Sequence, residues 1–137
     1  MPNIRELNPI KYQISKHRFI ELYHFCLQYN EWMDELKYKT DTLKSIEVTD
    51  MPFAVGESDQ TAQLACRRAT LSDKCRLIEQ TAMETDSELY EYILKAVTNE
   101  NITFPYLYTV MGIPCSRNTY YDRRRKFYWL LDRKRTV

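Results

Sequence analysis

The stretch that decides the fold is Ile102–Arg135, ITFPYLYTVMGIPCSRNTYYDRRRKFYWLLDRKR. It reads as a short helix, a tight turn at Gly112, and a second helix dense in arginine and aromatic residues. Thr103 or Ile102 opens the short helix, and Pro105 is tolerated in its first turn, where a missing N–H leaves no helical bond unmade. Gly112 suits the left-handed position that ends a helix. Pro114 keeps Ile113 extended and bars immediate continuation, after which Ser116 or Asn118 can cap the second helix.

Charge is distributed unevenly around this stretch. Arg117–Arg135 holds eight Lys/Arg against Asp122 and Asp132, a net of +6, whereas the whole chain of 137 residues is formally +1, so the remainder carries −5. Positive charge gathered on one terminal helix is a footprint suited to phosphate backbones, and a helix-turn-helix gives it a way to dock. Helical stepping puts Tyr120, Phe127, Leu130 and Leu131 toward a core. Arg117, Tyr121, Arg124, Arg125 and Tyr128 lie around the other side. Side chains at the start of such a second helix approach base edges, where Arg suits guanine and Asn suits adenine. Arg117, Asn118, Tyr121 and Arg125 are therefore the base-reading candidates, with Thr119 and Arg124 beside them. Lys126, Arg133, Lys134 and Arg135 suit phosphates. A plain solvated face is the competing account, and Trp32 and Trp129 fit packing better than base stacking.

Outward from this unit, Leu89, Tyr92, Ile93, Ala96 and Val97 form the apolar face of a preceding helix. Thr85 and Glu88 are spaced as a capping box, and Asn99 and Asn101 close the helix. Further upstream, Ser15–Ser45 predicts one long helix of about 28 residues, roughly 40 Å, with Phe19, Leu22, Tyr23, Cys26, Tyr29, Met33 and Leu36 on one face. Glu47–Asp59, with Pro52 and Gly56, reads as a connector, after which Ser58 or Asp59 caps a helix to Glu84. Its inner face is Ala62, Ala65, Ala69, Ser72 or Lys74, Leu77 or Ile78, and Thr81 or Ala82. The two long segments would pair as an antiparallel hairpin and, through the apolar stripe of the first, join protomers.

The expected fold is thus all-α: a long helical hairpin stem followed by a three-helix unit carrying the helix-turn-helix. Its parts are a lead-in over 1–14, a hairpin and oligomerisation region over 15–84, and a DNA-binding domain over 85–137. Scarce glycine (two residues) and abundant Leu, Tyr, Lys, Glu and Arg agree with that class. Cys26, Cys66, Cys75 and Cys115 show no C-x-x-C spacing, so reduced thiols fit better than bridges or zinc. His17 and His24 lack a nucleophile or acid partner, and neither a P-loop nor a dinucleotide fingerprint occurs. Neither an enzyme nor a cofactor is expected. The N-terminal MPNIRELNPIKYQ has no apolar leader core, so a cytoplasmic protein without membrane contact is expected.

The tail TFPYLYTVMGIPCSRNTYYDRRRKFYWLL resembles the region-4 helix-turn-helix of sigma factors. Together with LYHFCLQYNEWMDEL, SDQTAQLACRRATLSDKCRLIEQTA and ELYEYILKAVTNENITFPYL, it resembles phage and mobile-element transcriptional regulators of the RinA/ArpU type. The segment IPCSRN departs from that pattern in being longer than a minimal sigma-type turn. The resemblance implies a sequence-specific regulator in a bacterial host cell that binds double-stranded DNA upstream of late or packaging genes. RNA polymerase is a further implied partner, and the N-terminal helices would serve assembly. A small-terminase-like packaging protein would combine the same parts. A protein-interaction module would show no duplex binding.

Overall fold

The computed structural model describes residues 12–48 and 55–136, with side chains over 12–38 and 59–135. The lead-in expected before Tyr12 and the Pro52 portion of the connector lie outside the described residues. The protein is all-α. In chain order come α1 (Lys16–Leu27), α2 (Tyr29–Val48), α3 (Val55–Thr85), α4 (Tyr90–Val97), α5 (Phe104–Tyr106) with a π-helical turn over Leu107–Met111, and α6 (Arg117–Thr136). No strand occurs among the described residues.

The chain forms two compact units, one of residues 1–28 with 77–137 and one of residues 29–76. The expected single helix from Ser15 is two helices. Ser15 caps α1, its hydroxyl accepting from the Arg18 N–H at 3.2 Å, but the chain breaks at Gln28. Gln28 bonds back to the Phe25 carbonyl at 3.3 Å, a tight terminal turn with no Pro or Gly to announce it. The break lets Phe19, Leu22, Phe25 and Cys26 enter the core of the first unit, where α1 packs on α4 and α6.

The second unit is a hairpin of α2 and the first part of α3. Arg67 grips the Glu35 carboxylate with two bonds of 2.7 and 2.9 Å, and Arg68 donates to the Leu36 carbonyl at 3.1 Å. Lys74 lies 5.2 Å from the buried Trp32 ring. Lower numbers on α2 thus meet higher numbers on α3, an antiparallel pairing. The helix begins at Val55, so it is not opened by a cap at Ser58 or Asp59. Its inner stripe agrees with the expected one at Ile78, Thr81 and Ala82 and differs from it earlier in the helix. Leu64 and Arg68 are half-buried and Leu71, Cys75, Ile78, Ala82 and Thr85 buried, a run of alternating four- and three-residue steps, whereas Ala62, Ala65 and Ala69 are exposed. Burial favours the larger side chains: an isoleucine or leucine removes several times the apolar area that an alanine does.

In the first unit, α4 buries Leu89, Ile93 and Val97 as its spacing predicts. The expected capping box does not form. The Asp86 carboxylate accepts from the N–H groups of Glu88 and Leu89 at 3.0 and 3.2 Å, while the Thr85 hydroxyl bonds back to Thr81. The α6 face is turned slightly from its expected setting. Tyr120, Phe127 and Leu131 are buried, but so is Tyr128, and Leu130 is half-exposed. Phe19 of α1 accounts for the buried Tyr128: its ring meets Tyr128 edge-on at 4.8 Å.

Candidate nucleic-acid interface

The interface begins with the local chemistry of two helix ends. Thr103 caps α5, accepting from the Tyr106 N–H at 3.4 Å, and Pro105 occupies the first turn. The π-helical turn closes on Gly112, which takes φ 69° and ψ 41°. That left-handed setting is cheap only for residues without a β-carbon. Gly112 and Ile113 both donate to the Leu107 carbonyl, Ile113 at 2.9 Å. Ser116 then caps α6, its hydroxyl accepting from the Thr119 N–H at 3.2 Å. A helix of 20 residues starts there, its first unpaired N–H groups contributing partial positive charge.

Arg117, Asn118 and Thr119 are exposed on the first turn. The Arg117 guanidinium lies 5.9 Å from the Tyr121 ring, and that ring meets Tyr120 at 5.0 Å. Burial pushes the Tyr120 hydroxyl up to about 12, which keeps this aromatic base uncharged. Arg117, Tyr121 and Arg125 follow one another at four-residue steps and so share a face. Arg125 and Lys126 are half-exposed and have no carboxylate partner among the described residues.

The other cations are engaged within the fold. Arg123 reaches Asp86 at 3.1 Å and Asp122 at 3.3 Å. Arg124 lies over the Phe19 and Tyr128 rings at 5.8 and 5.3 Å. Arg133 covers Trp129 at 4.7 Å. Lys134 pairs with Glu84 at 2.5 Å, and Arg135 lies 4.0 Å from the Phe25 ring and 3.8 Å from Glu21. Asp132 is taken by Arg18 at 2.5 Å. The structure therefore leaves Arg117, Asn118, Thr119, Tyr121, Arg125 and Lys126 exposed or half-exposed along the first half of α6 and ties Arg124, Lys134 and Arg135 to the body of the unit. Sequence reasoning missed the tying groups Glu21, Glu84 and Asp86. They lie 37 to 114 residues away along the chain, and only the packing of α1 and of the end of α3 against α6 brings them close.

Beneath α6 lie groups with unusual environments. The Tyr23 and Tyr128 hydroxyls are buried without a hydrogen-bond partner among the described residues, and burial raises both above the ordinary tyrosine value. Burial likewise pushes the Cys26 thiol well up. No group of three or more metal-ligating side chains occurs among the described residues. No helix among them is long and apolar enough to cross a membrane. Comparison with family models, curated proteins and solved structures gives no match.

Proposed function

We propose that the chain is a sequence-specific DNA-binding transcriptional regulator of the phage and mobile-element kind, reading double-stranded DNA with the first three turns of α6. The observation that carries this reading is the division of cations along that helix. Arg117 stands open at its start, beside Asn118 and Thr119, and Arg125 and Lys126 are half-exposed near its middle, while most of the remaining positive charge is held by carboxylates or rings. A helix start with exposed Arg and Asn offers bidentate donors and acceptors to base edges. Its free N–H groups and unpaired cations favour phosphate. α5 with the π-helical turn, the turn at Gly112 and α6 supply the two helices that such docking requires.

The reading is tested by titrating salt against affinity for a selected operator and for unrelated duplexes. Three unpaired cations imply a slope of log affinity on log salt of about −3, at about 0.9 per phosphate neutralised. Absence of salt-dependent binding to any duplex would sink the proposal. Ring-shaped oligomers that bind duplex would redirect it to a DNA-packaging component. RNA polymerase as a partner is part of the same proposal, tested by adding polymerase to the operator complex.

A further inference from the structure

Building on the regulatory reading above, we infer that Tyr121 is a positioning residue: its ring holds the Arg117 guanidinium where it reads a guanine. The two residues are four apart on α6 and share a face. A helical side chain leans toward the helix N-terminus, so the Tyr121 ring covers the turn that carries Arg117. The guanidinium carbon lies 5.9 Å from the ring centre, within the distance at which the negative face of a ring attracts a cation. Arg117 is exposed and has no carboxylate partner among the described residues. The ring that holds it is itself braced. Tyr121 meets Tyr120 at 5.0 Å with the planes at 61°, and the buried Tyr120 lies 5.8 Å from Phe104 of α5. A line of rings thus runs from the helix before the Gly112 turn to the start of α6.

The kind of hold matters. A carboxylate occupies the N–H fork of an arginine, as Asp86 and Asp122 do for Arg123 at 3.1 and 3.3 Å. A ring attracts the charge and leaves the fork open to the O6 and N7 acceptors of guanine. An unbraced arginine loses rotamer freedom on meeting a base, and a contact formed beforehand cuts that loss. Arg124 also lies over rings, but those of Phe19 and Tyr128 hold it to the body of the unit. Arg117 differs in standing on the exposed first turn, where the second helix of a helix-turn-helix approaches base edges. Tyr121 then acts through Arg117 and reads no base itself.

The experiment pairs two measurements on the full chain. In the free protein, the Arg117 side-chain resonances carry the ring-current shift of Tyr121. Tyr121→Ala should abolish that shift, and Tyr121→Phe, which keeps the ring, should preserve it. In binding, an operator selected from random duplex should contain a guanine whose preference is lost in Arg117→Ala. Tyr121→Ala should lower that preference by about two- to fivefold, the worth of an exposed cation–π contact, and leave affinity for unrelated duplex unchanged. Tyr121→Leu, which keeps apolar bulk without a ring, should match it, whereas Tyr121→Phe should stay close to wild type. In an Arg117→Ala background, Tyr121→Ala should cost nothing further. Unaltered Arg117 resonances in Tyr121→Leu, or a guanine preference that it leaves intact, would overturn this inference alone. So would a Tyr121→Phe variant as impaired as Tyr121→Leu, or a full further loss in the Arg117→Ala background. No duplex binding by the wild-type chain would overturn the regulatory reading and this one with it.

Discussion

The two ends of α6 share a composition and have opposite fates. Both are rich in Lys and Arg, yet the C-terminal end faces Glu21 and Glu84 from other helices and the rings of Phe25 and Trp129. In the N-terminal half Arg123 and Arg124 are held by carboxylates and rings, but Arg117, Arg125 and Lys126 have no carboxylate partner among the described residues. Charge counted along a sequence is therefore not charge available to a ligand. A cation that must give up a carboxylate before meeting a phosphate returns much of what it gains. The pairs at the C-terminal end also do structural work, holding α6 to α1 and to the end of α3.

The contrast breaks most severely if its hinge point is removed. Phe127 lies midway along α6 and is fully buried, so Phe127→Ala should cost about 3–5 kcal/mol in denaturant unfolding. A value near zero would mean that the helix packs by another face. Alkali offers a second route. Folding holds Tyr120 protonated up to about 12 against an ordinary value of 10.0. The stability this gives is complete below pH 10 and is lost as pH rises toward 12. Unfolding followed by tyrosinate absorbance should accelerate across that window, and full stability beyond it would show Tyr120 to be solvated.

Binding measurements sharpen the comparison further. Arg117→Ala should weaken specific binding by about 1–3 kcal/mol and relax preference at one base position. Equal weakening on operator and unrelated duplex would reduce the first turn to a phosphate clamp. Lys126→Ala should flatten the salt slope by about 0.9, and Lys134→Ala by clearly less, since Lys134 is already paired with Glu84. Equal slopes would erase the distinction between the two ends. The smallest change is expected from Arg125→Ala in thermal melts, within about 0.5 kcal/mol, because no carboxylate of the described fold depends on it.

What could be read in the sequence follows the range of the interactions involved. Ser15, Thr103, Gly112 and Ser116 act on atoms within a few residues, and each is legible as a helix boundary. The face of α4 is legible for the same reason: its apolar residues form a single stripe. α6 presents Phe127–Tyr128 and Leu130–Leu131 as adjacent apolar pairs; both rings of the first are buried, Tyr128 against Phe19 more than a hundred positions away, but only Leu131 of the second. Alanines at helical spacing on α3 imitate an inner face, but the Leu64–Leu71–Ile78 stripe outweighs them in area. Asp86 was hidden by its two roles, as cap for the N–H groups of Glu88 and Leu89 and as partner of Arg123. At the candidate interface the residue types were legible, and the division into open and tied cations was not.

The cysteines give each unit its own clock. Cys66 is exposed on the hairpin, whereas Cys26 is buried in the first unit with a thiol that burial holds protonated. Only a thiolate attacks an alkylating reagent. Cys66 should therefore label at once, and Cys26 only at the rate at which α1 leaves the core. The interval between these two labellings, read from the masses of the peptides that hold Cys66 and Cys26, measures how often that core opens, and a duplex bound to α6 should lengthen it.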